Sequence, residues 1–95
     1  MKLYNLSSNV EAIEGRHLLK WLTENNLKHP LLVNCLAVKK LEYFVELLGG
    51  AYGIVEFANG TVIHLRPLDW LLIFPYGVMV VSNEDFKKIE QEYTR

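Results

Sequence analysis

Apolar side chains are concentrated between Tyr52 and Ser82, in short runs that are interrupted by turn-forming residues. This pattern predicts two consecutive β-hairpins. In the first hairpin, Asn59-Gly60 supplies the positive φ angles of a type I′ turn, and a two-residue loop would place Phe57 opposite Val62. One face of this hairpin then carries Val55, Phe57, Val62 and His64, and the other carries Ile54, Glu56, Ile63 and Leu65.

The second hairpin follows Pro67, which suits a corner between strands because it has no backbone N–H. Its strands are predicted at residues 68–74 and 78–82. Pro75-Tyr76-Gly77 would form a three-residue loop whose glycine takes the left-handed position. Both faces of this hairpin are apolar, and we therefore expect other elements to cover it on two sides.

The sequence before residue 27 predicts a short edge strand at residues 2–6 and then an amphipathic helix. Ser8 and Glu11 have the spacing of a capping box, so the helix should begin near Asn9. It should end at Asn25-Asn26, where asparagine can adopt the left-handed cap. The apolar side of this helix consists of Val10, Ile13, Leu18, Trp21 and Leu22.

Residues 31–38 allow two interpretations. As a helix, the segment would start with Pro30 in the first helical position and continue to Leu48. As a strand, it would precede a separate helix at residues 39–48. We favour the strand, because a short apolar run after a proline is a common strand pattern. Gly49-Gly50 would end the helix in both interpretations.

The last segment predicts a short helix with Ser82 or Asn83 as its N-cap and acidic residues in its first turn. Phe86, Ile89 and Tyr93 follow at helical spacing. The predicted fold is therefore a single α+β domain over residues 1–95. It consists of a mostly antiparallel sheet of two consecutive hairpins, packed with an N-terminal amphipathic helix, a central helix and a short C-terminal helix.

Composition limits the classes of function. Lys and Arg number 10 and Asp and Glu 11, and a net charge of −1 argues against a basic surface for nucleic acid. A single cysteine excludes an internal disulfide, and the first ten residues lack the apolar core of a secretory signal, so we expect a cytoplasmic protein. The uncharged run at residues 70–83 is too short for a membrane helix and contains Pro75 and Gly77, so no membrane span is predicted.

The sequence contains no pattern typical of catalysis, and we expect a protein that is not an enzyme. Cys35 lies in an apolar run and is predicted to be buried rather than nucleophilic. The three histidines lack the spacing of metal ligands, and neither a metal nor a cofactor is predicted. Asp69 is interpreted as a corner residue that accepts turn N–H groups, with Arg66 nearby.

A set of positions between residues 31 and 93 matches a known motif. The matching residues are Pro67, Asp69, Trp70, a later glycine at Gly77 and Phe86 in the closing helix. Together with the order of helix, hairpin, strand and helix, they resemble the small phage-encoded domain known by its PGDYI motif, although Leu68 stands where that motif has glycine. The resemblance implies a phage or prophage accessory protein, a group mostly without assigned activity.

Three hypotheses for function come from different classes. The first is a non-enzymatic module that binds a host protein, in host takeover or against host defence, through Val55, Phe57, Val62 and His64. The second is a protein that sequesters a small molecule or nucleotide, through Tyr52, Trp70, Tyr76 and the cation of Arg66. The third is a structural or virion-associated oligomer. Because both faces of the hairpins are apolar, we also expect a homodimer, or a monomer that binds its partner through the sheet, with Phe57 central.

Overall fold

The computed structural model describes residues 3–7, 10–45 and 50–93 of the chain. Within these residues, seven strands and two α-helices follow one another, together with one short 3-10 helix at Asn34–Leu36. Their bounds are β1 Leu3–Ser7, β2 Val10–Glu14, α1 Gly15–Glu24, β3 Val38–Val45, β4 Ala51–Phe57, β5 Val62–Leu65, β6 Trp70–Phe74, β7 Gly77–Val81 and α2 Asn83–Tyr93.

The strands form two antiparallel sheets, one of four strands in the order β1-β2-β6-β7 and one of three strands in the order β3-β4-β5. Both predicted hairpins are present, as β4-β5 and β6-β7. They lie in different sheets. In the four-stranded sheet, β2 pairs with the edge of β6 that β7 does not occupy, and in the three-stranded sheet, β3 pairs with the edge of β4 that β5 does not occupy. The predicted α+β fold of one sheet and three helices is therefore wrong: the described residues form two sheets and two α-helices.

The main core lies between the two sheets and includes one side of α1. It contains Ile13 of β2, Leu18, Leu19 and Leu22 of α1, Val55 and Phe57 of β4, Leu65 of β5, and Leu71 and Ile73 of β6. Helix α2 packs on the other face of the four-stranded sheet, where Phe86 joins Ala12, Trp70 and Leu72. The second hairpin is thus covered on two sides, as expected, whereas the outward residues of the three-stranded sheet are half-buried or exposed.

Residues 10–14 form strand β2 instead of the first turns of a helix. They pair with β1 on one side and with β6 on the other. The predicted capping box is wrong, since Glu11 lies in this strand opposite Ile73, and Ser8 lies outside the described residues. The N-terminal edge strand is confirmed as β1, and the left-handed end of the first helix is confirmed at Asn26, whose φ is 53°.

Helix α1 begins at Gly15, where the chain touches the corner between β5 and β6. The N–H of Gly15 donates to the carbonyl oxygen of Asp69 at 2.6 Å, and the N–H of Arg16 donates to that of Pro67 at 2.8 Å. A Cβ on Gly15 would collide with the carbonyl oxygen of Arg66, so the close approach requires glycine. A contact between distant segments, rather than a local capping motif, therefore fixes the start of this helix.

The segment for which a strand was favoured, at residues 31–38, is mostly irregular. His29 and Leu32 form an isolated bridge, and the 3-10 helix follows. The regular strand begins only at its end, with Val38. Both interpretations of this segment are therefore wrong, although Leu32 and Leu36 within it are buried in the main core.

The residues predicted to form the central helix form β3, and residues 46–49 lie outside the described part of the chain. A β-bulge at Lys39 shifts the pairing of β3 with β4. The bulge allows Val38 and Leu41 to pack against the same core, although they are three residues apart. Three-residue spacing of apolar residues is also what one turn of an amphipathic helix produces, and this explains the wrong prediction.

The first hairpin turns through three residues rather than two. The N–H of Gly60 donates to the carbonyl oxygen of Phe57 at 2.9 Å, and Gly60 alone takes a left-handed φ, of 89°, within this loop. This is a type I turn closed by a left-handed glycine, not the predicted type I′ turn. The N–H groups of Ala58 and Asn59 donate to carbonyl oxygens in residues 35–37, so a distant segment helps to set the geometry of the turn.

Both hairpins lie one residue out of the predicted register. In the first, Val55 lies opposite Ile63 rather than His64. In the second, Gly77 pairs directly with Phe74 and leaves a two-residue loop instead of three. Because neighbouring side chains of a strand point to opposite faces, this shift exchanges the faces of one strand relative to its partner.

The C-terminal helix is confirmed as α2. The Oγ of Ser82 accepts the N–H of Asp85 at 3.1 Å, so Ser82 is the N-cap, and Glu84 and Asp85 lie at the positive end of the helix. Phe86 is buried and Ile89 half-buried against the four-stranded sheet. Within the described residues, neither this helix nor any other is long and apolar enough to cross a membrane.

Candidate functional site

The outer face of the three-stranded sheet carries aromatic and aliphatic side chains that face solvent. Its outward residues are Lys40, Glu42 and Phe44 on β3, Tyr52, Ile54 and Glu56 on β4, and Val62 and His64 on β5. We call the apolar part of this surface, formed by Phe44, Tyr52, Ile54, Val62 and His64, the aromatic face.

Three rings run in a row across the aromatic face. The centroids of Phe44 and Tyr52 lie 5.2 Å apart with an interplanar angle of 20°, and those of Tyr52 and His64 lie 5.9 Å apart at 5°. Offset stacks of this kind are favourable arrangements for aromatic pairs. The middle ring, that of Tyr52, thus stacks on both of its neighbours. Phe44 is 39% exposed and Val62, on the neighbouring part of β5, is 53% exposed.

The other end of the same sheet surface is charged. The Nζ of Lys39 lies 3.5 Å from the carboxylate of Glu56, and the Nζ of Lys40 lies 2.7 Å from that of Glu42. The hydrogen bond to Glu42 and its negative charge raise the pKa of Lys40. Exposed ion pairs of this kind add little to folding stability, so their charges remain available to a partner.

A polar cleft of about 270 Å³ borders the aromatic face at the corner between β5 and β6. Its lining consists of Tyr52, His64, Arg66 and Asp69. The Oδ2 of Asp69 accepts the backbone N–H of Arg66 at 3.1 Å, and the N–H of Asp69 donates to the carbonyl oxygen of Arg66 at 3.0 Å. The interpretation of Asp69 as a corner residue is therefore confirmed.

No family model, curated protein or solved structure matches the chain. The resemblance to the PGDYI domain stays a prediction.

The four residues predicted to bind a partner do not share one face. Val55 and Phe57 are fully buried in the main core. Val62 and His64 lie on the opposite side of the sheet, in the aromatic face. The shift of one residue in the hairpin register separates the two pairs. A partner can therefore reach Val62 and His64 but not Val55 or Phe57, and Phe57 cannot be the centre of an interface.

The four candidate ligand-binding residues do not form one pocket either. Tyr52 and Arg66 do meet, in the polar cleft. Trp70 is buried in the second cluster, where its ring stacks on Phe86 with a centroid distance of 3.8 Å. Tyr76 is 82% exposed in the loop between β6 and β7. Of the predicted pocket, only the pair of Tyr52 and Arg66 remains.

Sequence reasoning missed the exposed apolar residues at the end of β3. Tyr43 is 54% exposed and Val45 76% exposed, and Phe44 between them belongs to the aromatic face. These residues were not recognised as exposed because the apolar spacing of the segment predicted a helix. The consecutive tyrosine, phenylalanine and valine are residues with high β propensity, and this signal could have indicated a strand.

Cys35 was expected to be buried, and this expectation is wrong because the residue is exposed. It lies in the 3-10 helix directly after Asn34, which takes a left-handed φ of 56°. The neighbouring Leu36 is buried in its place. Elsewhere in the described part of the chain, no group of three His, Cys, Asp or Glu side chains is arranged to hold a metal ion.

Proposed function

We propose that the protein is a non-enzymatic binding module that attaches to another protein through the aromatic face. The observation that carries this proposal is the row of stacked rings formed by Phe44, Tyr52 and His64 on a solvent-facing sheet. Aromatic side chains dominate many protein interfaces, because each buries a large area and loses little conformational freedom. The exposed Val62 extends the same apolar surface onto β5.

The surroundings of the aromatic face also suit a protein partner. Protein interfaces commonly have an apolar centre and a polar border. Here Lys39, Lys40, Glu42 and Glu56 provide charges on one side, and the corner at Arg66 provides a polar cleft on the other. Because the rings are already stacked in the free protein, binding would cost little additional ordering of side chains.

The proposed partner is a host protein, and the proposed setting is the cytoplasm of a bacterium that carries a phage or prophage. This part of the proposal rests on the sequence resemblance to the PGDYI domain. It predicts that the gene lies among phage genes expressed early in infection. A position among genes for virion assembly would favour the structural or virion-associated role instead.

A pair of matched valine variants tests the proposed surface. Val62 is 53% exposed and Val33, on a different part of the molecule, is 52% exposed. We expect tagged wild-type protein and the Val33→Asp variant to capture the same host protein from a lysate, and Val62→Asp to lose it. Mass spectrometry identifies the captured protein, and circular dichroism confirms that both variants are folded. Equal capture by the two variants would exclude the aromatic face as the binding surface.

A second candidate function is the binding of a small anion at the polar cleft. It is favoured by one observation: the exposed, cationic residue Arg66 lines the cleft together with Tyr52, His64 and Asp69. The cleft is slightly smaller than most ligand pockets, which measure roughly 300–1,000 Å³. Calorimetric titration with inorganic phosphate and with nucleotides, repeated on Arg66→Gln, checks this alternative. Binding that persists in the variant would argue against the cleft.

A further inference from the structure

A cleft of about 550 Å³ lies between the end of α1 and the start of β3. We call it the His29 cleft, after the histidine in its lining. Its apolar lining includes Leu27, Leu32, Val33 and Val38. The volume falls within the range of roughly 300–1,000 Å³ that is typical of ligand pockets. None of the lining residues belongs to the aromatic face or to the polar cleft.

Two segments of the lining are held in place by bonds to the rest of the fold. The Nε1 of Trp21 in α1 donates to the carbonyl oxygen of Lys28 at 2.9 Å. The N–H of Ala58, in the turn of the first hairpin, donates to the carbonyl oxygen of Ala37 at 2.8 Å. Ligand pockets are usually largely formed before the ligand arrives, and the His29 cleft has this property.

The backbone around the cleft is strained at three points. Asn26, Leu27 and Asn34 have φ angles of 53°, 64° and 56°, and all three line the cleft. They are the only non-glycine residues in the described part of the chain with a left-handed φ. This conformation is uncommon, for leucine in particular, and where the surrounding structure imposes it, the site is often functional. The strain of the described backbone is therefore concentrated at the His29 cleft.

The lining also contains a polar group without a partner. His29 is 4% exposed, and its Nδ1 accepts the N–H of Leu31 at 3.1 Å. Burial lowers the pKa of His29, so the ring is neutral at neutral pH and its proton lies on Nε2. This buried N–H donates to no atom of the described residues. A buried donor without an acceptor is unfavourable, and a ligand oxygen placed there would remove the penalty.

The charges at the cleft favour an anion. Lys28 and Lys39 line it, and none of the described lining residues is acidic. The Nζ of Lys39 already lies 3.5 Å from the carboxylate of Glu56, whereas Lys28 is exposed and forms no ion pair with a described carboxylate. A carboxylate suits the site, because one oxygen can accept the Nε2–H of His29 while the negative charge faces Lys28.

We propose that the His29 cleft binds the anion of a small carboxylic acid with an apolar body, of the size of a medium-chain fatty acid or an aryl-alkanoic acid. The carboxylate accepts the Nε2–H of His29, and the body packs against Leu27, Val33 and Val38. Because Nε2 is covered in the free protein, the oxygen reaches it after a small rotamer change in the lining, a common adjustment on binding. This site is separate from the proposed attachment to another protein and does not depend on it.

Titration with octanoate and with 3-phenylpropionate, followed by NMR at neutral pH, tests the class of ligand. We expect at least one of them to bind with a dissociation constant of about 1 mM or below, as is usual for ligands of about ten non-hydrogen atoms. Octanol lacks the charge and acetate lacks the apolar body, so each should bind at least about fivefold more weakly. Failure of both acids to bind overturns the inference, and so does octanol that binds as tightly as octanoate.

Variants of the two polar residues test the proposed contacts with whichever acid binds more tightly. His29→Asn keeps an acceptor for the N–H of Leu31 but has no donor at the Nε2 position, and it should weaken binding at least about tenfold. Lys28→Gln should weaken binding about two- to fivefold, the usual size of an exposed ionic contact. Lys87→Gln on α2 removes the same charge elsewhere and should change nothing. Unchanged binding by His29→Asn, or equal weakening by Lys87→Gln, contradicts the site.

A measurement on wild type covers the case in which His29→Asn does not fold. The chain has three histidines, and the Cε1–H signal of each ring can be followed during the titration. The signal of His29 should move as the acid binds, whereas those of His17 and His64 should stay in place. A His29 signal that does not move at saturation overturns the inference.

The valine variants separate this inference from the proposed function. Val33→Asp places a carboxylate in the lining of the cleft, so it should weaken binding of the acid at least about fivefold and leave capture of the host protein unchanged. Val62→Asp should have the opposite effects, because Val62 lies in the aromatic face. Circular dichroism verifies that both variants fold. Equal binding of the acid by wild type and Val33→Asp, or equal weakening by Val62→Asp, contradicts the cleft and leaves the aromatic face untouched.

Discussion

The imidazole of His29 lies almost fully buried beside α1, and its environment disfavours protonation. Its Nδ1 accepts the N–H of Leu31 at 3.1 Å, and its ring meets that of Trp21 edge to face at 5.3 Å. The Nε2 atom is buried without a hydrogen-bond partner among the described residues. Burial lowers the pKa of His29 below its usual value of 6.5, because a charged ring would lose its hydration.

This pKa shift predicts a dependence of stability on pH. The unfolded chain binds the proton more tightly than the folded chain, so the stabilising contribution is fully present above pH 6.5 and is lost as the pH falls from 6.5 towards the folded pKa. Urea denaturation at a series of pH values checks this. In the variant His29→Asn, the amide oxygen can accept the same N–H. The free energy of unfolding of this variant should change less with pH below 6.5 than that of wild type. If His64→Gln reduces this change as much, His29 is not the titrating group.

The exposure of Cys35 gives a second prediction at this scale. Because the thiol lies at the surface of the 3-10 helix, we expect a thiol reagent to label the native protein nearly as fast as the denatured protein. Absorbance or mass spectrometry follows the reaction, and Cys35→Ser provides the blank. Labelling that becomes fast only in denaturant would show that the side chain is covered in solution.

At the scale of the elements, the junction between β2 and α1 depends on a contact with a distant corner. By intrinsic helix propensity alone, glycine at position 15 would make the helix less stable than alanine by about 1 kcal/mol. In the folded protein, Gly15 lies directly against the backbone of Arg66 and Asp69, where there is no room for a side chain. Local propensity and tertiary packing therefore predict opposite signs for the same substitution.

We expect Gly15→Ala to lower the free energy of unfolding by about 1–3 kcal/mol, because the methyl group forces the corner away from the start of the helix. Gly77→Ala is the matched control, since a Cβ there meets no atom within 4 Å and the residue has no left-handed φ. It should be neutral or slightly stabilising. Chemical denaturation measures the free energy of unfolding of both variants. A Gly15→Ala variant as stable as wild type would contradict the close contact at the corner.

At the scale of the whole molecule, the two sheets are covered unequally. The four-stranded sheet has the main core on one face and α2 on the other, whereas the three-stranded sheet is covered on its inner face. This asymmetry leaves the aromatic face accessible to solvent and buries Trp70, which is 4% exposed. The helix that encloses it is held mainly by Phe86, which is 2% exposed and stacks on the indole ring.

Phe86→Ala should therefore destabilise the protein by about 3–5 kcal/mol, the usual cost of deleting a buried aromatic ring. Urea denaturation followed by circular dichroism measures the loss. Ile89→Ala, at a half-buried position of the same helix, should cost clearly less. Equal effects of the two variants would mean that α2 is not anchored through Phe86.

Local signals in the sequence determined several features of this protein. The N-cap at Ser82 and the apolar spacing after it specify α2, because capping and amphipathicity act within one or two turns. Asn26 takes the left-handed position expected at the end of α1. The two hairpins and the corner at Asp69 were also predictable, since turn residues and adjacent β-prone runs suffice for them.

Tertiary structure alone decided the rest. Which strands join the hairpins depends on contacts between residues far apart in the chain, such as those of Ile13 with β6 and Leu41 with β4. The register of the first hairpin depends on N–H groups of its turn that reach the segment around Cys35. Since a shift of one residue moves every side chain to the opposite face, these contacts determine that His64 is exposed and Phe57 buried. The aromatic face therefore exists only in the folded sheet.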